Sequence, residues 1–272
     1  MYELTNESSD MSRGIWRHRS LILMLARRDI IGRYRGSILG VVWSLIYPLL
    51  MLAIYSFVFG GIFKSHWGAG DSSPLEFALV LFLGLIVFNL FSESVSRAPG
   101  VISAHASYVR KIVFPLEILP VVLLLGAMFQ FLVNLGVWLV FCALFFRVPP
   151  LTTVLLPVAI LPLLLFTLGV CWVLASLGAY LRDIGHLVGV LVTALLFLSP
   201  IFYPVTALPE RFQYFMTLNP LAQVIENTRQ VCIWSRLPAP GVWCLSLLVG
   251  ALVAWLGLRF FQKTRGGFAD VL

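Results

Sequence analysis

Long uncharged runs dominate the sequence and constrain what the chain can fold into. Six of them stand out: Gly36–Phe63 (28 residues), Phe77–Ser92 (16), Ile118–Phe146 (29), Val148–Leu181 (34), Ile184–Pro209 (26) and Leu237–Leu258 (22). About 20 consecutive apolar residues are needed to cross a bilayer as a helix. Only 11% of the residues are charged and the mean hydropathy is +0.96, whereas about 25% of a soluble domain is charged. The chain is therefore expected to lie in a membrane, and a soluble enzyme is excluded.

The runs predict helices and not barrel strands, because they are long and show no alternating polarity. The second run is short, but Ser94–Ser96 extend it past Glu93 at the interface. We predict an all-α integral membrane protein with six transmembrane helices. Its expected regions are a cytoplasmic N-terminus with an amphipathic interface helix (1–37), the six-helix transmembrane domain (38–258) and a cytoplasmic tail (259–272).

Two segments flank or interrupt the spans. Trp16–Tyr34 mixes apolar residues with arginines, which predicts a helix lying along the membrane interface, or else a solvated basic linker. Pro204–Pro240 is too apolar for an ordinary loop and contains several prolines. It predicts short re-entrant helices between spans five and six, or an amphipathic helix resting on the outer leaflet.

The basic residues indicate the orientation of the chain. With the N-terminus inside, 14 of the 19 Lys and Arg residues fall on the cytoplasmic side, as the positive-inside rule requires. Both termini are therefore predicted to be cytoplasmic. The net charge of +7 is explained by this sidedness and by contact with anionic membrane lipids, so no nucleic-acid partner is expected.

Catalytic and coupling chemistry is sparse. The four histidines, at positions 18, 66, 105 and 186, allow no HExxH motif, and no metal-ligand spacing or phosphate-binding loop is present. Arg182 and Asp183 lie together at the predicted end of span four, where an ion pair that anchors the interface is expected. A transporter without a coupling carboxylate or an ATP site must obtain its energy from a partner or move its substrate downhill.

Five blocks, in this order, resemble one family: Arg27–Gly40, Lys111–Pro120, Arg182–Ile184, Ser199–Tyr203 and Asn219–Pro220. They are similar to motifs of the permease subunits of bacterial ABC exporters for polysaccharides, and the opening block is most similar to O-antigen exporters. Capsule and teichoic-acid exporters stay open as alternatives, as does a drug or lipid ABC permease of the same fold. A lipid-processing enzyme and a non-transporting scaffold subunit are competing classes with less support.

The resemblance implies a homodimeric permease in the bacterial inner membrane, paired with two copies of a separate ATPase subunit. Its substrate would be a lipid-linked polysaccharide moved outward from the cytoplasmic leaflet. No catalytic residue, metal or cofactor is expected on this chain, since ATP and Mg²⁺ would bind to the partner subunit.

The resemblance also implies roles for particular residues. The loop between spans two and three would dock in the ATPase, with contacts from His105, Tyr108, Arg110, Lys111 and Phe114. Arg33 and Arg35 are candidates for meeting the lipid pyrophosphate, because a guanidinium matches phosphate oxygens; positive-inside anchoring explains them equally well. Candidate channel residues, which stack weakly on sugars, are Trp43, Tyr47, Tyr55, Phe202 and Tyr203. An interfacial aromatic belt is the alternative for each of these five.

Overall fold

The computed structural model describes residues 17–37, 39–58, 67, 74–106, 114–145, 148–181 and 183–268. Within these ranges the secondary structure is helical, with no strand. The α-helices are α1 (Arg19–Tyr34), α2 (Trp43–Tyr55), α3 (Pro74–Arg97), α4 (Ile118–Phe145), α5 (Leu156–Tyr180), α6 (Ile184–Leu198), α7 (Glu210–Leu218), α8 (Pro220–Cys232) and α9 (Pro240–Thr264). The predicted all-α fold class is confirmed.

Four helical segments are long and apolar enough to cross a membrane: Leu75–Gly100, Ile118–Phe145, Leu151–Tyr180 and Pro240–Gly267. The chain is therefore an integral membrane protein. The other two predicted spans correspond to the shorter apolar helices Trp43–Val58 and Ile184–Leu198. The count of six spans stays a prediction, as do the predicted boundaries of the three regions.

Helix α6 ends well before the end of its uncharged run. The run continues to Pro209, but the helix ends at Leu198, and Ser199 has an extended backbone (φ −98°, ψ 149°). Pro200 follows, and proline disfavours the helical conformation in the residue before it. The proline, and not the hydropathy, sets the length of this helix.

Helix α3 forms the centre of the molecule. It packs against α4, α5, α6 and α8, and its apolar side chains from Phe77 to Phe88 are almost all buried. A helix that is apolar around its whole circumference belongs in such a position. Trp138 of α4 is fully buried beside it and donates a hydrogen bond from Nε1 to the Leu79 carbonyl (3.0 Å).

Helices α5 and α9 make the most extensive helix pair and approach closely through small residues. A Cβ at Gly257 would collide with the Gly169 backbone, and a Cβ at Gly169 would collide with the Val253 backbone. Small residues allow helix backbones to approach in this way where no hydrophobic effect drives association in lipid. The pair therefore depends on both glycines.

Two short helices lie between α6 and α9, as predicted for this segment. The apolar stretch Phe212–Ile225 is divided at Asn219, whose side-chain oxygen accepts a hydrogen bond from the Leu221 N–H (3.0 Å). Pro220 occupies the first turn of α8. An N-cap asparagine followed by proline is a strong start signal for a helix, so α7 and α8 are separate elements.

Candidate functional site: an ion-pair network and a basic cavity beside the N-terminal helix

Helix α1 is attached to the membrane helices by an apolar contact. Its buried residues Ile22, Leu25 and Ala26 pack against Ile118 and Val122 of α4. The opposite side leaves Leu23 and Met24 about two-thirds exposed (64% and 65%). The predicted helix is present, and its position beside α4 brings its arginines to the Arg97 end of α3.

An ion-pair network joins α1 to α3. Asp29 accepts hydrogen bonds from Arg33 one turn along α1 (Nη2 to Oδ2, 2.9 Å) and from Arg97 of α3 (Nη2 to Oδ1, 2.6 Å). Arg33 also donates to Glu93 of α3. Each helix therefore contributes one acidic and one basic side chain, and each basic side chain pairs with the acidic one of the other helix. These pairs fix the position of α1.

The network has the electrostatics of a stable, partly buried cluster. Burial opposes ionisation of Asp29, but hydrogen bonds and attraction from Arg97 and Arg33 exceed that effect and lower its pKa below the usual value of 3.8. Burial also opposes the charge on Arg33, yet Glu93 and Asp29 together raise its pKa above the usual value for arginine. Both groups are charged at neutral pH.

Gly126 of α4 provides the space for this network. A Cβ at this position would collide with Nη2 of Arg33 and would lie 3.0 Å from Oδ2 of Asp29. Two further glycines, Gly36 (φ +88°) and Gly40 (φ +51°), have left-handed backbones between α1 and α2, a conformation that favours glycine. Backbone geometry therefore explains the two glycines near the end of the Arg27–Gly40 block.

A basic cavity of about 520 Å³ opens beside the network. Its charged lining consists of Arg28, Arg33, Arg35, Arg97 and Asp29, and His105 also lines it. Arg35 is exposed, whereas Arg33 is engaged with two carboxylates. Since Arg33 and Arg97 are paired with Asp29 and Glu93, Arg28 and Arg35 give this lining its excess positive charge, which suits a phosphate-bearing ligand.

The predicted docking residues fall largely outside the description of the chain. Tyr108, Arg110 and Lys111 are not among the described residues. His105 ends a short 3₁₀ turn (Ser103–His105) and donates from Nδ1 to the Val101 carbonyl (2.8 Å). Phe114 is partly buried against the hydrophobic core. The docking role of all five residues stays a prediction.

The predicted channel aromatics occupy two regions. Trp43 and Tyr47 line a recess between α2, α3 and α4. Beyond the end of α6, Phe202 stacks on Phe197 with ring centroids 5.9 Å apart, and the Tyr203 hydroxyl donates to the Phe197 carbonyl (3.0 Å). Tyr55 is partly buried against the core. Whether these residues line a transport pathway stays a prediction.

The expected ion pair of Arg182 with Asp183 lies partly outside the described residues, because Arg182 is not among them. Asp183 precedes the first turn of α6 and makes no side-chain capping hydrogen bond there. Within the described ranges, no group of three or more His, Cys, Asp or Glu side chains is arranged to hold a metal ion.

Arg229 is a buried charge that the sequence analysis did not single out. It is fully buried in α8 and donates to three carbonyls: Pro200 (2.6 Å), Ile201 (3.0 Å) and Val80 (3.3 Å). Its guanidinium also lies 4.3 Å from the Trp67 ring centroid. The sequence does contain a signal of this burial. Arg229 follows Ile225 by four residues and so falls on the apolar face of α8.

Comparisons with known proteins identify the family. A family model described as "ABC-2 type transporter" matches residues 20–233. The O-antigen export system permease protein RfbA of Myxococcus xanthus is 27% identical over 95% of this chain and 97% of the relative. The protein of the same name from Klebsiella pneumoniae is 27% identical over 93% and 95%. The polysialic acid transport protein KpsM of Escherichia coli is 24% identical over 86% and 90%. The chain belongs to the ABC-2 type transporter membrane family.

Proposed function

We propose that this chain is the permease subunit of an ABC transporter that exports a lipid-linked polysaccharide of the O-antigen type. The observation that carries the proposal is the similarity, over more than nine-tenths of both chains, to proteins named as O-antigen export permeases. The similarity to a polysialic acid transport protein is lower and covers less of the chain. A capsule-type polymer is therefore the second candidate.

The basic cavity beside α1 supports a lipid substrate with a phosphate-bearing head. Arg35 is exposed at this cavity, and a guanidinium binds phosphate oxygens in a bidentate manner. Arg33 is engaged with Asp29 and Glu93, so its main role in the proposal is to hold α1 against α3. Arg35 is the residue that meets the lipid phosphate directly.

The energy for export comes from a separate subunit in this proposal. ATP and Mg²⁺ bind to a partner ATPase, present in two copies, and two copies of this chain form the pathway between them. The segment that precedes α4 docks in the ATPase through His105, Tyr108, Arg110, Lys111 and Phe114. Closure of the ATPase dimer then pushes on this segment and widens the pathway.

The polymer advances past aromatic side chains, which bind sugars weakly enough for continuous movement. Trp43, Tyr47 and Tyr55 on α2, with Phe202 and Tyr203 beyond α6, supply these contacts. The location is the bacterial inner membrane with both termini in the cytoplasm, since 14 of the 19 basic residues then lie on the inner side.

The proposal is tested by deletion and affinity purification. Loss of the chain should remove surface polysaccharide and leave lipid-linked polymer inside the cell, and the wild-type chain should restore export. The tagged chain, purified from mildly solubilised membranes, should bring down a P-loop ATPase in stoichiometric amount. Unchanged surface polysaccharide in the deletion strain, or purification of the chain alone, would contradict the proposal.

The docking assignment has a separate test. Arg110→Glu combined with Lys111→Glu should reduce the amount of co-purifying ATPase while the level of the chain in membranes stays unchanged. Lys263→Glu is the matched control, because Lys263 is an exposed basic residue near the end of α9 and lies outside the docking segment. Equal ATPase recovery in all three proteins would remove these two residues from the interface.

A further inference from the structure

A second cavity, of about 440 Å³, lies between α2, α3 and α4 and differs from the basic cavity in its chemistry. Each of the three helices contributes a pair of residues spaced four apart: Trp43 and Tyr47, Asn89 and Glu93, and Gln130 and Asn134. Residues at this spacing share one helix face. We call this cavity the amide recess.

The amides of α4 are held in place by neighbouring groups. The Tyr34 hydroxyl donates to Oε1 of Gln130 (3.0 Å). The Gln130 amide nitrogen donates to Oδ1 of Asn134 (2.9 Å) and to the Ser44 carbonyl (3.2 Å). These bonds orient Asn134 so that its NH₂ group, with two donors, remains for another partner. The wall is therefore preorganised for hydrogen bonding.

Asn89 takes no part in the hydrogen bonds that hold the α4 amides in place. Its side chain is exposed, unlike the apolar residues on either side of it along α3, and no hydrogen bond from it to another described residue is present. It precedes Arg97 by eight residues, which places it about 12 Å along the helix from the charged end. An exposed amide at this depth in a membrane helix is costly unless it faces water or a polar ligand.

The opposite wall is aromatic. Trp43 and Tyr47 are 44% and 57% exposed, and their rings face the recess together with the amides. An aromatic face accepts the C–H face of a sugar ring while amides and a carboxylate bind its hydroxyl groups. Among the described residues that line the recess there is no Lys or Arg, so this lining offers a phosphate no cationic partner. The volume lies within the usual range of about 300–1,000 Å³ for ligand pockets.

We propose that the amide recess binds a neutral sugar segment of the exported polymer, with Asn89 and Asn134 as its hydrogen-bonding residues and Trp43 and Tyr47 as its stacking surface. This inference rests on the proposed function and deepens it. It assigns the phosphate end of the substrate to the basic cavity and the adjoining sugars to the amide recess. Both cavities adjoin the ion-pair network, the first through Arg33 and the second through Glu93.

Export by position-89 variants is the first test. In a deletion strain, Asn89→Leu should lower surface polysaccharide about 3- to 10-fold, as the loss of one substrate hydrogen bond predicts, at equal membrane level and equal ATPase recovery. Asn89→Gln should retain most of the export. Thr193→Leu, at an exposed polar position of α6 outside the recess, is the matched control and should export normally. Wild-type export by Asn89→Leu would overturn the inference.

Accessibility is the second test and separates a wet binding site from a packed polar cluster. Asn89→Cys, in a chain whose four native cysteines are replaced, is treated with a charged methanethiosulfonate in membrane vesicles. The vesicles come from two strains. The first makes the polymer, which is stalled by an inactive ATPase partner, and the second lacks the initiating glycosyltransferase. We expect labelling in the second strain and several-fold slower labelling in the first. A Thr193→Cys control should not differ between strains.

Failure of the inference is distinguishable from failure of the proposed function. If the wild-type chain does not restore surface polysaccharide to the deletion strain, the proposed function fails. If it does restore export, but Asn89→Cys is unlabelled or is labelled at the same rate in both strains, the amide recess is not a sugar site and the exporter proposal stands.

Discussion

Arg33 and Glu93 are 60 positions apart in the sequence and form an ion pair between α1 and α3. The pair attaches a helix at the membrane interface to the central helix of the molecule. Asp29 and Arg97 complete the network, so a displacement of α1 relative to α3 would break these ion pairs. The basic cavity lies beside this attachment and is lined by three of the four side chains, Asp29, Arg33 and Arg97.

Removal of one carboxylate should loosen α1. Glu93→Gln leaves Arg33 with Asp29 alone, and the loss of a partly buried, charge-assisted hydrogen bond costs about 1.5–3 kcal/mol. Amide hydrogen exchange in α1, measured on the chain in lipid nanodiscs, should accelerate about tenfold or more. Glu210→Gln, at an exposed carboxylate in the first turn of α7, should leave α1 unchanged. Equal α1 exchange in both variants would show that the apolar contact alone holds the helix.

The attachment of α1 should be insensitive to mild acid. The pKa of Asp29 is lowered below 3.8, since Arg97 and Arg33 outweigh the effect of burial. A depressed carboxyl pKa contributes stability that is present above the unfolded pKa and is lost only as the pH falls through the folded value. Exchange in α1, corrected for the intrinsic pH dependence of the chemistry, should therefore stay constant from about pH 8 to about pH 5. Loosening near pH 6 would contradict the role of Asp29.

A side chain at Gly126 should displace the network. Gly126→Val adds a Cβ that collides with Nη2 of Arg33 and lies 3.0 Å from Oδ2 of Asp29, so α1 should exchange faster and export should fall. Gly136→Val is a matched control on the same helix, because a Cβ there meets nothing within 4 Å. The two substitutions have the same intrinsic effect on a helix, which leaves the contact with Arg33 as the difference. Equal α1 exchange and equal export by the two variants would show that Gly126 is not in contact with the network.

The sequence predicted the four long apolar helices well because hydropathy and helix periodicity are local properties. Ile118–Phe146 was predicted and α4 ends at Phe145. The boundaries were less accurate where proline intervenes, as at Pro200 after α6, or where polar residues continue a helix, as at the Arg97 end of α3. The division of α7 from α8 depends on a single cap at Asn219, which a search for apolar runs does not detect.

The site was predictable only in part because its contacts are distant in the sequence. The spacing of Asp29 and Arg33, and of Glu93 and Arg97, is that of helix ion pairs one turn apart, so each pair was visible separately. The pairing between the two helices, in which Arg33 binds Glu93, could not be read from the sequence. Gln130 and Asn134 were visible as polar residues inside an uncharged run, which is a functional signal in a membrane helix.

Arg229 should be essential for the packing of the segment that follows α6. Arg229→Met leaves the Pro200 and Ile201 carbonyls without this donor, and each unpaired buried group costs about 1–3 kcal/mol. The level of folded chain in membranes should fall steeply. Arg236→Met, at an exposed arginine four residues beyond α8, should accumulate normally. Normal accumulation of Arg229→Met would show that the Pro200 and Ile201 carbonyls find other donors.

Tyr203 permits a test of whether ring stacking or hydrogen bonding matters beyond the end of α6. Its hydroxyl donates to the Phe197 carbonyl (3.0 Å), so Tyr203→Phe removes that bond and keeps the ring, whereas Tyr203→Ala removes both. An aromatic contact is worth about 0.5–1.5 kcal/mol, which corresponds to about a 2- to 10-fold change in export rate. We expect Tyr203→Ala to export more slowly by this factor and Tyr203→Phe to remain close to wild type, both at normal membrane level. A loss of export in both variants would assign Tyr203 to holding the loop against α6, and normal export by Tyr203→Ala would place its ring outside the pathway.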